Sequence, residues 1–209
     1  MPTSRTNKIL TAVVVVALIA AIGVLVFAYI PWGGFNQPQF NTEESVHVFL
    51  NGGVGRNFTL RDLWVIGNFT GQGGYRNKVN VTSGVGNYTG VTIKELVFAL
   101  DANLSQSMYE LNITAGDKYQ FYNFSMVQGN VTIYNAHATN DTQPLGNFTN
   151  ATTPGPGVQM VLIYAYNGQP LSGSDGHFKI GFLNASSKEA LITPSYLWLK
   201  DVRTIQIIT

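Results

Sequence analysis

The sequence predicts an α+β fold: a β-rich domain of mixed and antiparallel sheet with a few short helices, preceded by one N-terminal transmembrane helix. Three observations carry this. Ile9 to Ile30 is a 22-residue stretch without a charge, long enough to span a bilayer. Two capping boxes, Thr59-Leu-Arg-Asp62 and Thr92-Ile-Lys-Glu95, each open a short apolar run. From Met108 onward the chain is a succession of β-branched and aromatic runs separated by turn residues.

At 1.5 Å per residue the first segment measures roughly 33 Å as a helix. Val13–Val16 is a β-branched run that suits a helix poorly in water, but in lipid the backbone has no other partner. Arg5 and Lys8 precede the segment, and no Lys or Arg follows until Arg56. The positive-inside bias therefore places residues 1–8 in the cytoplasm and the chain after Pro31 outside. Tyr29 and Trp32 fall where an interfacial aromatic belt would lie. The run is too long for a cleaved signal peptide, and Phe27-Ala-Tyr-Ile-Pro31 is a poor cleavage site. An uncleaved anchor at 9–30 is expected, held by membrane lipid.

Residues 31–44 read as a linker rich in glycine and proline, with Glu43 and Glu44 solvated at its end. The rest, 45–209, is one domain by length. Val46–Leu50 alternates like a strand, and Asn51-Gly-Gly53 turns it. The helix begun at Thr59 runs through Leu63, Trp64 and Val65. In the second, Ile93, Leu96, Val97 and Leu100 recur at helical spacing, and the pattern stops at Asp101-Ala-Asn103. Strands are expected at Met108–Ile113, Tyr119–Phe124, Asn130–Tyr134, Val158–Tyr166, Phe178–Phe182 and Val202–Ile208, with a hairpin turn at Ala115-Gly-Asp-Lys118. Leu145–Gly157 reads as a loop.

Composition narrows the compartment. The chain has no cysteine, so it has no disulfide and no thiolate for zinc or an iron–sulfur cluster. Charged residues are 11% and the net charge is +1, with no basic cluster, which argues against nucleic acid as a partner. Twelve Asn-X-Ser/Thr glycan-acceptor triplets all follow the apolar segment: Asn57, Asn68, Asn80, Asn87, Asn103, Asn112, Asn123, Asn130, Asn140, Asn147, Asn150 and Asn184. Random placement of the chain's Asn, Ser and Thr would give roughly three, so a glycosylated surface outside the cytoplasm is the simplest account. Dense triplets, few charges and no cysteine together suggest an archaeal cell-surface protein. Asn80, Asn87, Asn147 and Asn150 lie in loop-like sequence, whereas Asn112 and Asn130 fall in predicted strands that turn Leu111, Ile113 and Val131 inward. The stretch Val158–Phe182 carries no triplet and is expected to be the buried centre or a partner interface.

The order of elements also resembles a known family. Thr59-Leu-Arg-Asp-Leu63, Gly86-Asn-Tyr-Thr-Gly-Val-Thr-Ile-Lys-Glu-Leu96, Ala115-Gly-Asp-Lys-Tyr119, Val161-Leu-Ile-Tyr-Ala-Tyr-Asn-Gly-Gln-Pro-Leu171, Asp175-Gly-His-Phe-Lys-Ile180 and Tyr196-Leu-Trp-Leu-Lys-Asp-Val202 are similar, in order, to motifs of the molybdopterin-binding domain of sulfite-oxidase-type proteins. The resemblance covers about residues 45–208 and implies that family's fold. In its enzymes a cysteine thiolate binds molybdenum and basic residues hold the pterin phosphate. Here there is no cysteine, and the corresponding stretch Gly71–Thr82 offers only Arg76 and Lys78. What the resemblance implies is a cofactor-free relative serving as a scaffold.

Side-chain chemistry is sparse. His47, His137 and His177 have no metal-ligand spacing, and a site from His137, His177 and Asp175 is the sole metal candidate. Gly71-Gln-Gly-Gly74 does not open a helix and makes a poor phosphate cradle. Tyr119, Phe121, Tyr122, Phe124, Tyr134, Tyr164 and Tyr166 have the period-2 spacing of sheet core, with a binding cleft as the alternative; Tyr164 and Trp198 are expected in the core. No catalytic, cofactor-binding or metal site is assigned. The expected function is a single-pass, N-in membrane glycoprotein with a non-catalytic binding, structural or accessory role in a cell-envelope complex, alongside a protein partner. The alternatives are a membrane-tethered molybdopterin-dependent oxidoreductase lacking the thiolate, and a subunit of a surface filament or layer.

Overall fold

Both capping boxes form as the sequence predicts, and they fix where the chain changes from extended to helical. The computed structural model describes residues 44–51, 53, 55–116, 118–134, 149–150, 158–184 and 190–209. The apolar segment 9–30, most of the linker, His137, Asn140 and Asn147 lie outside these residues. Among the described residues no helix is long and apolar enough to cross a membrane.

Strand β1 (Ser45–Leu50) buries Val46 and Val48, and β2 (Gly55–Thr59) pairs with it antiparallel, burying Phe58. Thr59 then caps α1 (Leu60–Ile66): its hydroxyl accepts from Asp62 N at 3.2 Å, and its own N–H donates to Asp62 Oδ2 at 2.9 Å. The chain continues through β3 (Phe69–Arg76) and β4 (Thr82–Thr92). Thr92 and Glu95 repeat the box at the start of α2 (Ile93–Leu100), which buries Ile93, Leu96 and Val97. Strands β5 (Glu110–Ala115) and β6 (Lys118–Tyr122) form the predicted hairpin, with Gly116 at φ 58° in the turn. Asn123 caps the single turn α3 (Phe124–Val127), so the strand expected over Tyr119–Phe124 ends early. The remaining elements are β7 (Thr132–Ile133), β8 (Thr149–Asn150), β9 (Val158–Tyr166), β10 (Gln169–Pro170), β11 (Lys179–Asn184), β12 (Leu191–Pro194), β13 (Leu199–Lys200) and β14 (Val202–Ile208).

These strands make two main sheets. The first has the order β2-β1-β14-β5-β6, with β1 and β14 parallel and the other pairs antiparallel. Leu111 and Ile113 face inward as expected, opposite Ile207 and Ile205. In the second, β9 pairs with β4, β4 with β3 and β3 with β11, and β11 returns to β9, closing a small barrel. β12 runs parallel to β3 at its side. The triplet-free stretch is the barrel's centre: β9 and β11 are buried along nearly their whole length.

Two of the barrel strands, β3 and β4, were not expected from sequence. Glycine normally weakens a strand interior, and both are full of it. Close approach of neighbours explains the residue type. A Cβ on Gly90 would run into the Leu162 carbonyl oxygen, and one on Gly73 would come within 2.6 Å of the Leu183 side chain. Asn87, read as loop-like, consequently sits in β4, opposite Gln72.

Candidate functional site

The most unusual side chain in the domain is Lys179. It opens β11 between Phe178 and Ile180, in a run where every neighbour is buried, and is itself only 2% exposed. Burying an ammonium is costly unless it is paired. Here Tyr75 from β3, Tyr88 from β4 and Trp198 before β13 present their rings to its Nζ at 5.3, 5.5 and 5.1 Å. The negative faces of aromatic rings attract a cation at this range.

The rings are fixed by one another and by hydrogen bonds. Tyr88 and Trp198 centroids are 5.2 Å apart, and Tyr75 and Trp198 are 5.5 Å apart. The Tyr88 hydroxyl donates to the Gly84 carbonyl, and Trp198 Nε1 donates to Thr193 Oγ1 at 2.7 Å. Gly181, lacking a side chain, leaves room for the indole in the barrel.

Asp175 completes the cage. Its Oδ2 accepts from Lys179 Nζ at 3.2 Å, and its Oδ1 lies 2.5 Å from Lys200 Nζ. The carboxylate is held in place by the backbone: Asp201 N donates to the Asp175 carbonyl at 2.9 Å, and Gly176 turns the chain at φ 69°. Burial lowers the Lys179 pKa, against the pull of Asp175. The hydrogen bond that Lys200 donates to Asp175 raises the pKa of Lys200. For Asp175 burial acts upward, but the bonds and charges of the two lysines outweigh it and hold the carboxyl below its ordinary range.

Outside the cage, Tyr75 and Trp198 also wall a cavity of about 310 Å³ with Lys118, Ser195, Leu199 and Lys200 around it. An aromatic wall flanked by two ammonium groups and a hydroxyl suits a planar or anionic group. The caged amine itself is sealed behind the rings, without the access a nucleophile or base requires.

The sequence-predicted residues scatter over the domain. Asn57, Asn68, Asn87 and Asn103 are exposed; Asn80, Asn112, Asn123, Asn130 and Asn184 are half-buried. Several already have local roles. Asn57 Oδ1 lies 2.6 Å from His47 Nδ1, Asn123 caps α3, Asn130 Nδ2 donates to Ser125 Oγ at 2.8 Å, and Asn68 Oδ1 accepts from the Tyr164 hydroxyl at 3.4 Å. Asn112 Oδ1 is buried without a partner. Asn150 lies in β8.

No group of three or more metal-ligating side chains gathers among the described residues. Instead of joining Asp175, His177 pairs with Glu44 at 3.1 Å, so Glu44 is not the solvated linker residue its sequence context suggested. Of the aromatic series, Tyr122 and Tyr164 are core, whereas Tyr119 and Phe121 point to solvent. Trp198 is buried as expected. Lys179 was missed. The available signal was a lysine inside the apolar run Phe178-Lys-Ile-Gly-Phe-Leu183 with an acid four residues earlier.

For a thiolate-ligated molybdenum cofactor the donor set does not fit, because the chain contains no cysteine. Arg76 donates to Thr82 Oγ1 at 3.4 Å and lies over the Tyr134 ring, and Lys78 is exposed in the turn after β3.

No family model and no curated protein matches the chain. Among solved structures it is similar to the sulfane dehydrogenase SoxCD from Paracoccus pantotrophus, at 14% identity and a TM-score of 0.48. That match covers 80% of this chain and 38% of the other, so the chain spans well under half the length of that protein.

Proposed function

We propose that the protein is a membrane-anchored, extracytoplasmic glycoprotein whose β-rich domain is a non-catalytic binding or accessory component of a cell-envelope complex. The observation that carries this reading is the caged lysine. The most deeply buried charge among the described residues is satisfied by the chain's own aromatic rings and carboxylate, which is the work of a scaffold. Its amine is not aimed into the neighbouring cavity as reactive groups in catalytic clefts are. The cavity between Lys118 and Lys200 then serves recognition.

The uncharged segment 9–30 and the twelve acceptor triplets support the compartment. Intact mass of the protein purified in mild detergent, combined with metal and pterin analysis, tests the whole reading. Expected are retention of residues 1–30, added hexose mass, and neither molybdenum nor tungsten. Stoichiometric metal with pterin fluorescence would establish the oxidoreductase alternative instead.

A further inference from the structure

The two helices leave an apolar surface uncovered. On α1, Trp64 is 38% and Val65 75% exposed, and on α2 Phe98 is 58% exposed. Ile66, Lys94, Glu95, Phe98 and Ala99 line a shallow cavity of about 420 Å³ between them. The helices approach closely at their ends: a Cβ on Gly67, just after α1, would come within 2.7 Å of the Glu95 carboxylate at the start of α2. Arg61 and Lys94 lie on the same helices, where Asp62 and Glu95 balance their charge; Arg61 and Glu95 are exposed.

The domain begins at Glu44, whose carbonyl accepts from Leu60 N, the first residue of α1, at 3.3 Å. The preceding residues 31–43 extend at most about 45 Å, and before them lies the uncharged stretch 9–30. The exposed tryptophan is therefore about one helical turn from the point at which the tether joins the domain. An indole, two aliphatic or aromatic side chains and two cations form the chemistry of an interfacial membrane contact: apolar groups enter the boundary between headgroups and acyl chains, and cations meet the phosphates.

We propose that the α1–α2 surface docks on the bilayer, with Trp64, Val65 and Phe98 inserted at headgroup depth and Arg61 and Lys94 against lipid phosphate. This rests on the reading of 9–30 as a membrane anchor.

The test uses the full chain in nanodiscs of phosphatidylcholine with phosphatidylglycerol. Trp32→Phe removes the tryptophan beside the anchor, and Trp198 is buried, which leaves Trp64 as the reporter. Lipids brominated near the carbonyl end of the acyl chain are expected to quench at least half of the emission that Trp64→Phe removes. Val65→Glu with Phe98→Glu, both at exposed positions, is expected to abolish that quenching while circular dichroism stays unchanged. Trp64 emission that is indifferent to brominated lipid yet quenched by aqueous iodide overturns the docking surface and leaves the anchor standing. A chain that does not co-elute with nanodiscs at all overturns the anchor, and the docking surface with it.

Discussion

Asp175→Asn is the sharpest probe of the caged lysine. At 3.2 Å the Lys179–Asp175 pair attracts by about 5 kcal/mol if the effective dielectric constant is near 20. The substitution removes that attraction but leaves the ammonium in place. The three rings remain, each worth about 0.5–2 kcal/mol to a cation, so the box is weakened without collapsing. Because Asp175 is about one-quarter exposed, water recovers part of the loss. A net destabilisation on the order of 3 kcal/mol is expected, at the lower end for an orphaned buried charge. Lys179→Met is the control. It keeps the stem and volume, removes the cost of burying charge and leaves Asp175 with Lys200, so it should stay within about 1 kcal/mol of the parent. In urea, with a slope of about 2 kcal/mol per molar for a domain of this size, Asp175→Asn should lower the midpoint by about 1.5 M and Lys179→Met by at most about 0.5 M. The pH dependence adds a second reading. Because burial lowers the Lys179 pKa below its ordinary 10.5, the unfolded chain binds the proton more readily. Lys179 therefore destabilises the native state below its lowered pKa, and that penalty is relieved as pH rises toward 10.5. Lys179→Met should abolish this part of the pH dependence. If Lys179→Met proves more damaging than Asp175→Asn, the charge is not what the cage is built around, and the reasoning fails.

Other expectations follow from the same packing. Gly90→Ala should cost at least about 2 kcal/mol, since its methyl meets backbone atoms of Leu162 and Ile163 that cannot rotate away; an unchanged urea midpoint would show that β4 and β9 are not so closely apposed. Trp198→Ala should cost about 3–5 kcal/mol, measured in the same way, because it empties the cage and leaves the Thr193 hydroxyl without its donor. Above pH 10 the domain should unfold. Burial pushes the phenols of Tyr109 and Tyr164 up to about 12 and those of Tyr88 and Tyr122 further, so their stabilisation is complete below 10.0 and is lost as pH rises through their native values. Phenolate absorbance should rise together with the loss of circular dichroism, whereas gradual ionisation of a folded domain would contradict it. On intact cells, external protease should digest the region after Pro31; protection until lysis would reverse the predicted orientation.

What could be read from sequence was whatever local chemistry decides. The two Thr-X-X-Asp/Glu boxes specify α1 and α2 because both hydrogen bonds of each box lie within four residues. β1, β9 and β14 were legible from β-branched and aromatic runs whose burial the sheets bear out. β3 and β4 were not, because their glycines answer to strands far away in the chain: Gly90 to Leu162 and Gly73 to Leu183. Propensity registers the missing side chain and not the neighbour that requires it. The cage was illegible for the same reason. Tyr75, Tyr88, Asp175, Lys179 and Trp198 come from separate elements and meet only once the barrel closes. Glu44 looked like linker because its partner His177 is distant in sequence.

The pairing of β1 with β14 bears on when the domain can form. The first strand of the domain lies between β2 and the last, and β14 alone joins β1 to β5. Until Val202–Ile208 has emerged, the five-stranded sheet is two separate hairpins, and Val46, Val48, Leu111 and Ile113 lack the strand between them. Contacts of such long sequence separation form late and slowly. A chain threaded outward behind an N-terminal anchor would thus have to be synthesised and translocated through Ile208 before this sheet could assemble. During that interval the acceptor asparagines of β2 and β5, half-buried Asn112 among them, would be open to a modifying enzyme. Loss of β14 should then leave a chain that is exported and heavily modified yet never acquires the protease resistance of the finished domain.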